Sequence, residues 1–274
     1  MTGTLLPLPT LTPAVDWSVC LRDATTSAVL AAHRPEQVQR TASVGKLFLL
    51  LEVARQLESG ELEPSERLER TEEDAVADSG LWYLLDQPAL TVTDLCWLVG
   101  GFSDNLATNV LLRRVGVAAV TATTEALGFT RSALLDRVRE DRGPQHPPTL
   151  SRGDAAELSD LVARLHRGEL VSPGVSARVL RWVAANADLS MVAAAFGLDP
   201  LAHADPDRGV VLANKTGTIS TARIDVGVAQ GPTAAVAWAV LAEWQPGTDP
   251  RADVLATMAE IGRVVATHVG APTT

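Results

Sequence analysis

Ser43-Val44-Gly45-Lys46-Leu47-Phe48-Leu49-Leu50-Leu51-Glu52-Val53-Ala54 is the stretch at which the pattern of the chain changes. Before it, apolar residues alternate loosely with a period of two. From Ser43 to about Leu57 the spacing becomes helical, and Gly60 supplies a stop. Leu47 through Leu51 is apolar all round, which predicts a helix buried centrally rather than laid on a surface.

Working outward, residues 15–21 and 28–32 read as two strands joined by the turn-like Asp23-Ala24-Thr25-Thr26-Ser27, a hairpin. Downstream, Thr91-Val92-Thr93-Asp94 starts a helix, and Ser103-Asp104-Asn105 starts another that runs to residue 115. Residues 118–127 and 155–166 continue the helical series. Between them, residues 136–151 have no period and hold Gly143, Pro144, Pro147 and Pro148, so they form a loop. Residues 210–213, 224–229 and 234–241 read as strands, and 251–269 as a closing helix. Strands at both ends with helices between them predict an α/β (α+β) fold. An antiparallel sheet domain flanked by helices is formed from both termini (residues 1–40 plus 196–274), with an all-helical domain (41–195) inserted and a cleft between the two.

The bulk properties narrow the function. A net charge of −10 over 274 residues, without a basic stripe, argues against a nucleic-acid partner. The acidic stretch 61–74 reads as a solvated face. No apolar run is long enough to span a bilayer, so no membrane partner is expected. Met1-Thr2-Gly3-Thr4-Leu5-Leu6-Pro7 lacks the basic and apolar regions of an export signal, which predicts a cytoplasmic protein unless a leader has been removed. Cys20 and Cys96, far apart, read as reduced core thiols. His33, His146, His166, His203 and His268 match no metal-ligand spacing and read as surface or loop residues, so neither a metal nor a cofactor is expected. Trp82 and Tyr83 read as core packing, with the mouth of a cleft as the alternative.

Three short motifs carry chemistry. In Ser43-Val44-Gly45-Lys46 the two polar side chains share one helical face. The hydroxyl sits at a helix N-terminus, where free N–H groups favour developing negative charge. A partly desolvated lysine can lose its proton and take one from a serine. Ser103-Asp104-Asn105 precedes a helix, and Lys215-Thr216-Gly217 ends an apolar strand. Singly these are a helix start, a cap and a strand end. Together they gain weight, because Lys46 and Lys215 are the only lysines in the chain. Arginine effectively cannot give up its proton, so a site that needs a lysine base cannot accept it instead.

This ordered set resembles the signature of the class A β-lactamases and penicillin-binding proteins, over nearly the whole chain from about Val15. The stretch Phe102-Ser103-Asp104-Asn105-Leu106-Ala107-Thr108-Asn109 is similar to the family's interior loop and the helix after it. The class C branch needs Tyr-x-Asn, and Tyr83, the sole tyrosine, is followed by Leu85 two residues later. The resemblance implies a serine hydrolase in which Ser43 is acylated, Lys46 takes its proton and Ser103 relays a proton to the leaving group. Lys215 supplies positive charge, Asn105 bonds a substrate amide, and Thr216 and Arg223 bind a carboxylate. Gly217 leaves room for substrate along the strand, and the N–H groups of Ser43 and Thr218 form an oxyanion hole. Asp104 is a structural cap.

The chain departs from the family pattern in the loop Leu135-Asp136-Arg137-Val138-Arg139-Glu140-Asp141-Arg142-Gly143. There the glutamate that activates the deacylating water in class A enzymes aligns with Arg139, and Glu140 falls one place late. The disulfide of some relatives is also missing, since Leu50 stands where the partner of Cys96 would be. Three readings follow. The first is an acyl-serine hydrolase acting on a lactam, amide or ester of a small carboxylate-bearing molecule. The second is a true β-lactamase using Glu140 or Asp141 for deacylation. The third is an acyl-trapping protein with little turnover. The oligomeric state is left open.

Overall fold

Strand β1 (Asp16–Asp23) shows how the sheet is placed. Trp17, Val19 and Leu21 enter one apolar cluster, while Cys20 on the opposite face enters another. A strand buried on both faces lies inside a layered structure. The computed structural model describes residues 5–76 and 78–272, so Met1–Thr4, part of the stretch read for an export signal, lie outside the described residues.

The remaining strands are β2 (Val29–His33), β3 (Gln39–Arg40), β4 (Arg67–Glu69), β5 (Ala89–Thr91), β6 (Ala133–Leu134), β7 (Ser151–Gly153), β8 (Val211–Ile219), β9 (Ala222–Gln230) and β10 (Ala235–Glu243). The helices are α1 (Lys46–Ser59), α2 (Val92–Phe102), α3 (Asn105–Val115), α4 (Val117–Ala126), α5 (Ala155–Arg167), α6 (Pro173–Val183) and α7 (Arg251–Val269). The main sheet has five strands in the order β2-β1-β10-β9-β8, paired antiparallel and drawn from both ends of the chain. Strand β8 is therefore an edge.

Side-chain size sorts the two faces of this sheet. On β10, Val236, Trp238 and Val240 face α7, whose Val254, Met258, Ile261 and Val265 recur at helical spacing. Ala235, Ala237 and Ala239 face the other way, where their small size lets α5 approach closely. Helix α1 packs among α6, α4, α3 and α2, with Leu47, Phe48, Leu49, Leu50 and Leu51 all fully buried, as the unbroken apolar run predicts. Each such leucine stabilises the fold by about 1.5–3 kcal/mol. Gly60, left-handed at φ 76°, ends α1 as read from sequence.

Several local readings need correction. The structure adds helix α6, whose Val175, Val179, Trp182 and Val183 form its buried face, and the short strands β3, β4, β5, β6 and β7, whose two or three residues display no period. Lys215-Thr216-Gly217 does not end its strand, because β8 continues to Ile219, held by β9 along its whole length. Within the acidic stretch, Asp74 is buried rather than solvated; Thr71 and Arg113 satisfy its carboxylate. Cys20 and Cys96 are buried free thiols. Trp82 is fully buried while Tyr83 is exposed, and His203 is buried in its loop. Among the described residues no helix is long and apolar enough to cross a membrane.

Candidate active site

The Ser43 motif enters α1 through a short 3-10 turn, Ala42–Gly45. That turn is pinned from two sides. The Ser151 hydroxyl on β7 donates to the Ala42 carbonyl at 2.6 Å and lies 2.8 Å from the Thr41 hydroxyl. On the other side the turn lies against β8 at Gly217. A Cβ there would sit 2.4 Å from the Thr41 carbonyl oxygen and 3.3 Å from the Ser43 amide nitrogen. This corrects the sequence reading of Gly217. The space beside it is filled by the backbone before Ser43, not left for substrate. Ala42 adopts φ 46°, a strained left-handed conformation that these contacts hold in place.

Ser103 is also left-handed, at φ 54°, just past the end of α2, and only Asp104 separates it from the start of α3. Asp104 fixes the junction, as its reading as a cap requires. Its carboxylate accepts the backbone N–H groups of Ala107 (2.8 Å), Leu81 (2.7 Å) and Trp82 (2.8 Å). Ser103 and Asn105 are thereby aimed at the same space.

Both lysines lie beneath that space, fully buried. Lys46 Nζ donates to the Ser103 carbonyl at 2.5 Å, to Asn105 Oδ1 at 2.7 Å and to Ser103 Oγ at 3.3 Å. Lys215 Nζ donates to Ser103 Oγ at 3.0 Å and to the Thr216 carbonyl at 2.9 Å. The Ser103 hydroxyl thus sits between two amines. Burial, reinforced by the charge of Lys215, pushes the Lys46 pKa well below its ordinary value. Burial also brings Lys215 down to about 8, against the pull of Asp188 and Asp225. Three acceptors match the three N–H donors of a charged lysine, and Ser43 is not among them. Once neutral, Lys46 has two donors and a lone pair, so it must release one acceptor.

Above the amines opens a cavity of about 930 Å³ whose lining includes Ser43, Ser103, Asn105, Thr216, Thr218 and Arg223. Six of the sequence candidates therefore face one space, with Lys46 and Lys215 under its floor. Arg223 donates to the carbonyls of Ile219 and Ala222 and lies over the Trp244 ring.

Glu140 does not join them. It is exposed and lines a separate pocket with Arg70, Thr71 and Tyr83, and Asp141 is exposed as well. The loop turns Arg139 and Arg142 into the cavity instead. Both guanidiniums bond Asp136, at 2.7 Å each. Burial raises the Asp136 pKa, but the two arginines outweigh it and hold the carboxyl below its ordinary range. The carboxylates that do line the cavity are Asp78 and Asp188. Sequence reading missed these two, and Arg40 beside them, since each is a single charged residue outside any motif. Among the described residues no cluster of His, Cys, Asp or Glu could hold a metal ion.

A sequence profile described as the Beta-lactamase enzyme family matches residues 10–269. No curated protein sequence matches the chain. Among solved structures, a beta-lactamase from Sphaerobacter thermophilus DSM 20745 superimposes with a TM-score of 0.81 at 22% identity, covering 93% of this chain and 92% of that one. PBP-A gives a TM-score of 0.78 at 20% identity, covering 93% and 90%. A beta lactamase from Burkholderia vietnamiensis gives 0.75 at 23% identity, covering 92% and 90%. At these identities the likeness is one of fold.

Proposed function

The chain belongs to the β-lactamase enzyme family, and from that premise we propose that it is a serine hydrolase forming an acyl-serine intermediate on a lactam, amide or ester of a small carboxylate-bearing molecule. The observation that carries this reading is the Ser103 hydroxyl held between two buried amines, 3.3 Å from Lys46 and 3.0 Å from Lys215, in the cavity that Ser43 lines.

In this reading the Ser43 hydroxyl attacks the carbonyl carbon and its proton passes to the neutral amine of Lys46, directly or through water. The bond to the leaving nitrogen or oxygen breaks as Ser103 gives that atom a proton. Lys46 then returns a proton to Ser103 across their hydrogen bond, so both groups end as they began. Lys215 supplies positive charge beside Ser103. The developing oxyanion takes the N–H groups of Ser43 and Thr218, each worth about 3–4 kcal/mol in comparable sites. Asn105 orients a substrate amide, and Thr216 and Arg223 receive the carboxylate.

A second reading is favoured by the loop. With Arg139 and Arg142 in the cavity and Glu140 elsewhere, the loop offers no base for a deacylating water. Acylation followed by slow release is the outcome that this arrangement supports.

Mixing the protein with a chromogenic β-lactam, while following both product and intact mass, tests both readings. A stoichiometric burst with a lasting adduct supports slow release, and steady turnover supports efficient hydrolysis. Cleavage of a small ester without reaction of the lactam keeps the acyl-serine chemistry but moves the substrate class. Full activity in Ser43→Ala would sink the nucleophile assignment.

A further inference from the structure

The net charge of the chain is −10, yet its cavity gathers Arg40, Arg139, Arg142 and Arg223 against Asp78 and Asp188. The four arginines are not equally neutralised. Arg40 pairs with Glu243. Arg139 and Arg142 share one carboxylate, that of Asp136, so this pair keeps an excess positive charge. Arg139 gives Asp136 its Nε and Nη2, which leaves Nη1 without a partner among the described residues. The nearby Glu140 and Asp141 do not line the cavity.

The position of this excess charge follows from α3. Asn105 and Asn109 stand four residues apart and share a helical face. Asn109 clamps the loop with reciprocal bonds, donating to the Val138 carbonyl at 3.1 Å and accepting the Val138 N–H at 2.9 Å. Arg139, the next residue, is thereby held to the Asn105 wall of the cavity. Arg223, Thr216 and Thr218 belong to the strand wall formed by β8 and β9.

We propose that the natural substrate is a dianion, with one acidic group received by Arg223 on the strand wall and a second acidic group, on the acyl side chain, received by Arg139 and Arg142 on the loop. This deepens the acyl-serine reading and rests on it for the orientation of the substrate. The local excess of positive charge at Arg139 and Arg142 draws such a ligand to the loop wall, and its hold weakens as salt rises.

The matched pair of benzylpenicillin and its α-carboxy derivative differs by one carboxylate on the acyl side chain. Their binding to Ser43→Ala protein, measured by calorimetry, reads recognition without acylation. The α-carboxy member is expected to bind at least fivefold tighter at low salt, with the ratio shrinking at 0.5 M NaCl. Adding Arg139→Gln, or separately Arg142→Gln, should bring the ratio toward one. Arg139→Gln leaves the bonds of Arg142 to Asp136 and the Pro147 carbonyl in place, so it stands if the other variant unfolds. Equal binding of the pair, failure of both to bind, or a ratio unmoved by Arg139→Gln overturns the proposal. Loss of the mass adduct in the wild-type protein, with the preference intact, counts against the acyl-serine reading alone.

Discussion

Lys215 Nζ lies 3.0 Å from the hydroxyl of Ser103, and the amine is fully buried with its pKa brought down to about 8. The cause is burial, which disfavours the charged form, offset by Asp188 and Asp225. Lys46 shares the same hydroxyl, and the charge of Lys215 helps to lower its pKa.

A bell-shaped pH profile for acylation follows. The rate should rise with pH as Lys46 loses its proton, then fall above about pH 8 as Lys215 loses its charge. In Lys215→Met the charge that depresses the Lys46 pKa is gone, so the rising limb should move to higher pH. Stopped-flow acylation across the pH range measures both limbs. A rising limb unmoved in that variant would mean that it does not report Lys46.

Lys46→Arg is expected to be nearly as damaging as Lys46→Ala, with acylation lowered by about 10²–10⁴-fold in each, the usual worth of a positioned base. Arginine keeps the charge but cannot accept a proton at neutral pH. Its fork also fits poorly among Ser103 O, Ser103 Oγ and Asn105 Oδ1, which are arranged around a single nitrogen. Adduct formation by intact mass, with a thermal melt to show that each variant folds, gives the comparison. Near-normal acylation in the arginine variant would remove the base from the mechanism.

What could be read beforehand divides by sequence distance. Ser43-Val44-Gly45-Lys46, Ser103-Asp104-Asn105 and Lys215-Thr216-Gly217 are contiguous, and the scarcity of lysine marked two of them. The buried run 47–51 and the caps at Thr91, Asp104 and Gly60 are equally local, so the elements they start or stop were legible. The role of Gly217 was not, because it depends on the carbonyl of Thr41, which reaches it only after the chain has folded. Nor was the direction of the loop, which the two bonds between Asn109 and Val138 and those of Asp136 to Arg139 and Arg142 set only in the folded chain. The family pattern puts Arg139 at the glutamate position with Glu140 one place late, and it is Arg139 that lines the cavity.

Gly217→Ala tests the close approach of β8 to the turn before Ser43. The new methyl would meet the Thr41 carbonyl oxygen at 2.4 Å, and that oxygen belongs to backbone pinned by Ser151. Forced shifts of this kind cost about 1–3 kcal/mol. The shift falls on the residues that set the Ser43 N–H, so acylation should drop by more than the loss of stability accounts for. Thermal melts and acylation rates measured together check this. A stable variant that acylates normally would show that the turn relaxes without moving Ser43.

Arg139→Glu sets the gain of a base against the loss of an ion pair. The gain is a carboxylate on the cavity wall where the loop now presents a guanidinium, a group that can act as base for a deacylating water. The loss is the ion pair with Asp136, but Asp136 keeps Arg142 at 2.7 Å, and Val138 keeps its two bonds to Asn109, so the loop stays anchored on both sides of residue 139. A positioned base is worth about 10²–10⁴-fold, and an unrefined one should reach at least the lower end. On the slow-release reading the wild-type acyl adduct lasts, and in the variant it should decay at least tenfold faster. The gain needs the ionised carboxylate, whose ordinary pKa is about 4.3, so it should be present at neutral pH and fade as the pH falls through that value. The decay of the adduct after removal of excess β-lactam, followed by intact mass from pH 4 to pH 8, measures both effects. An adduct lifetime that matches the wild type at every pH would mean that residue 139 stands out of reach of the ester, and that slow release has another cause than the missing base.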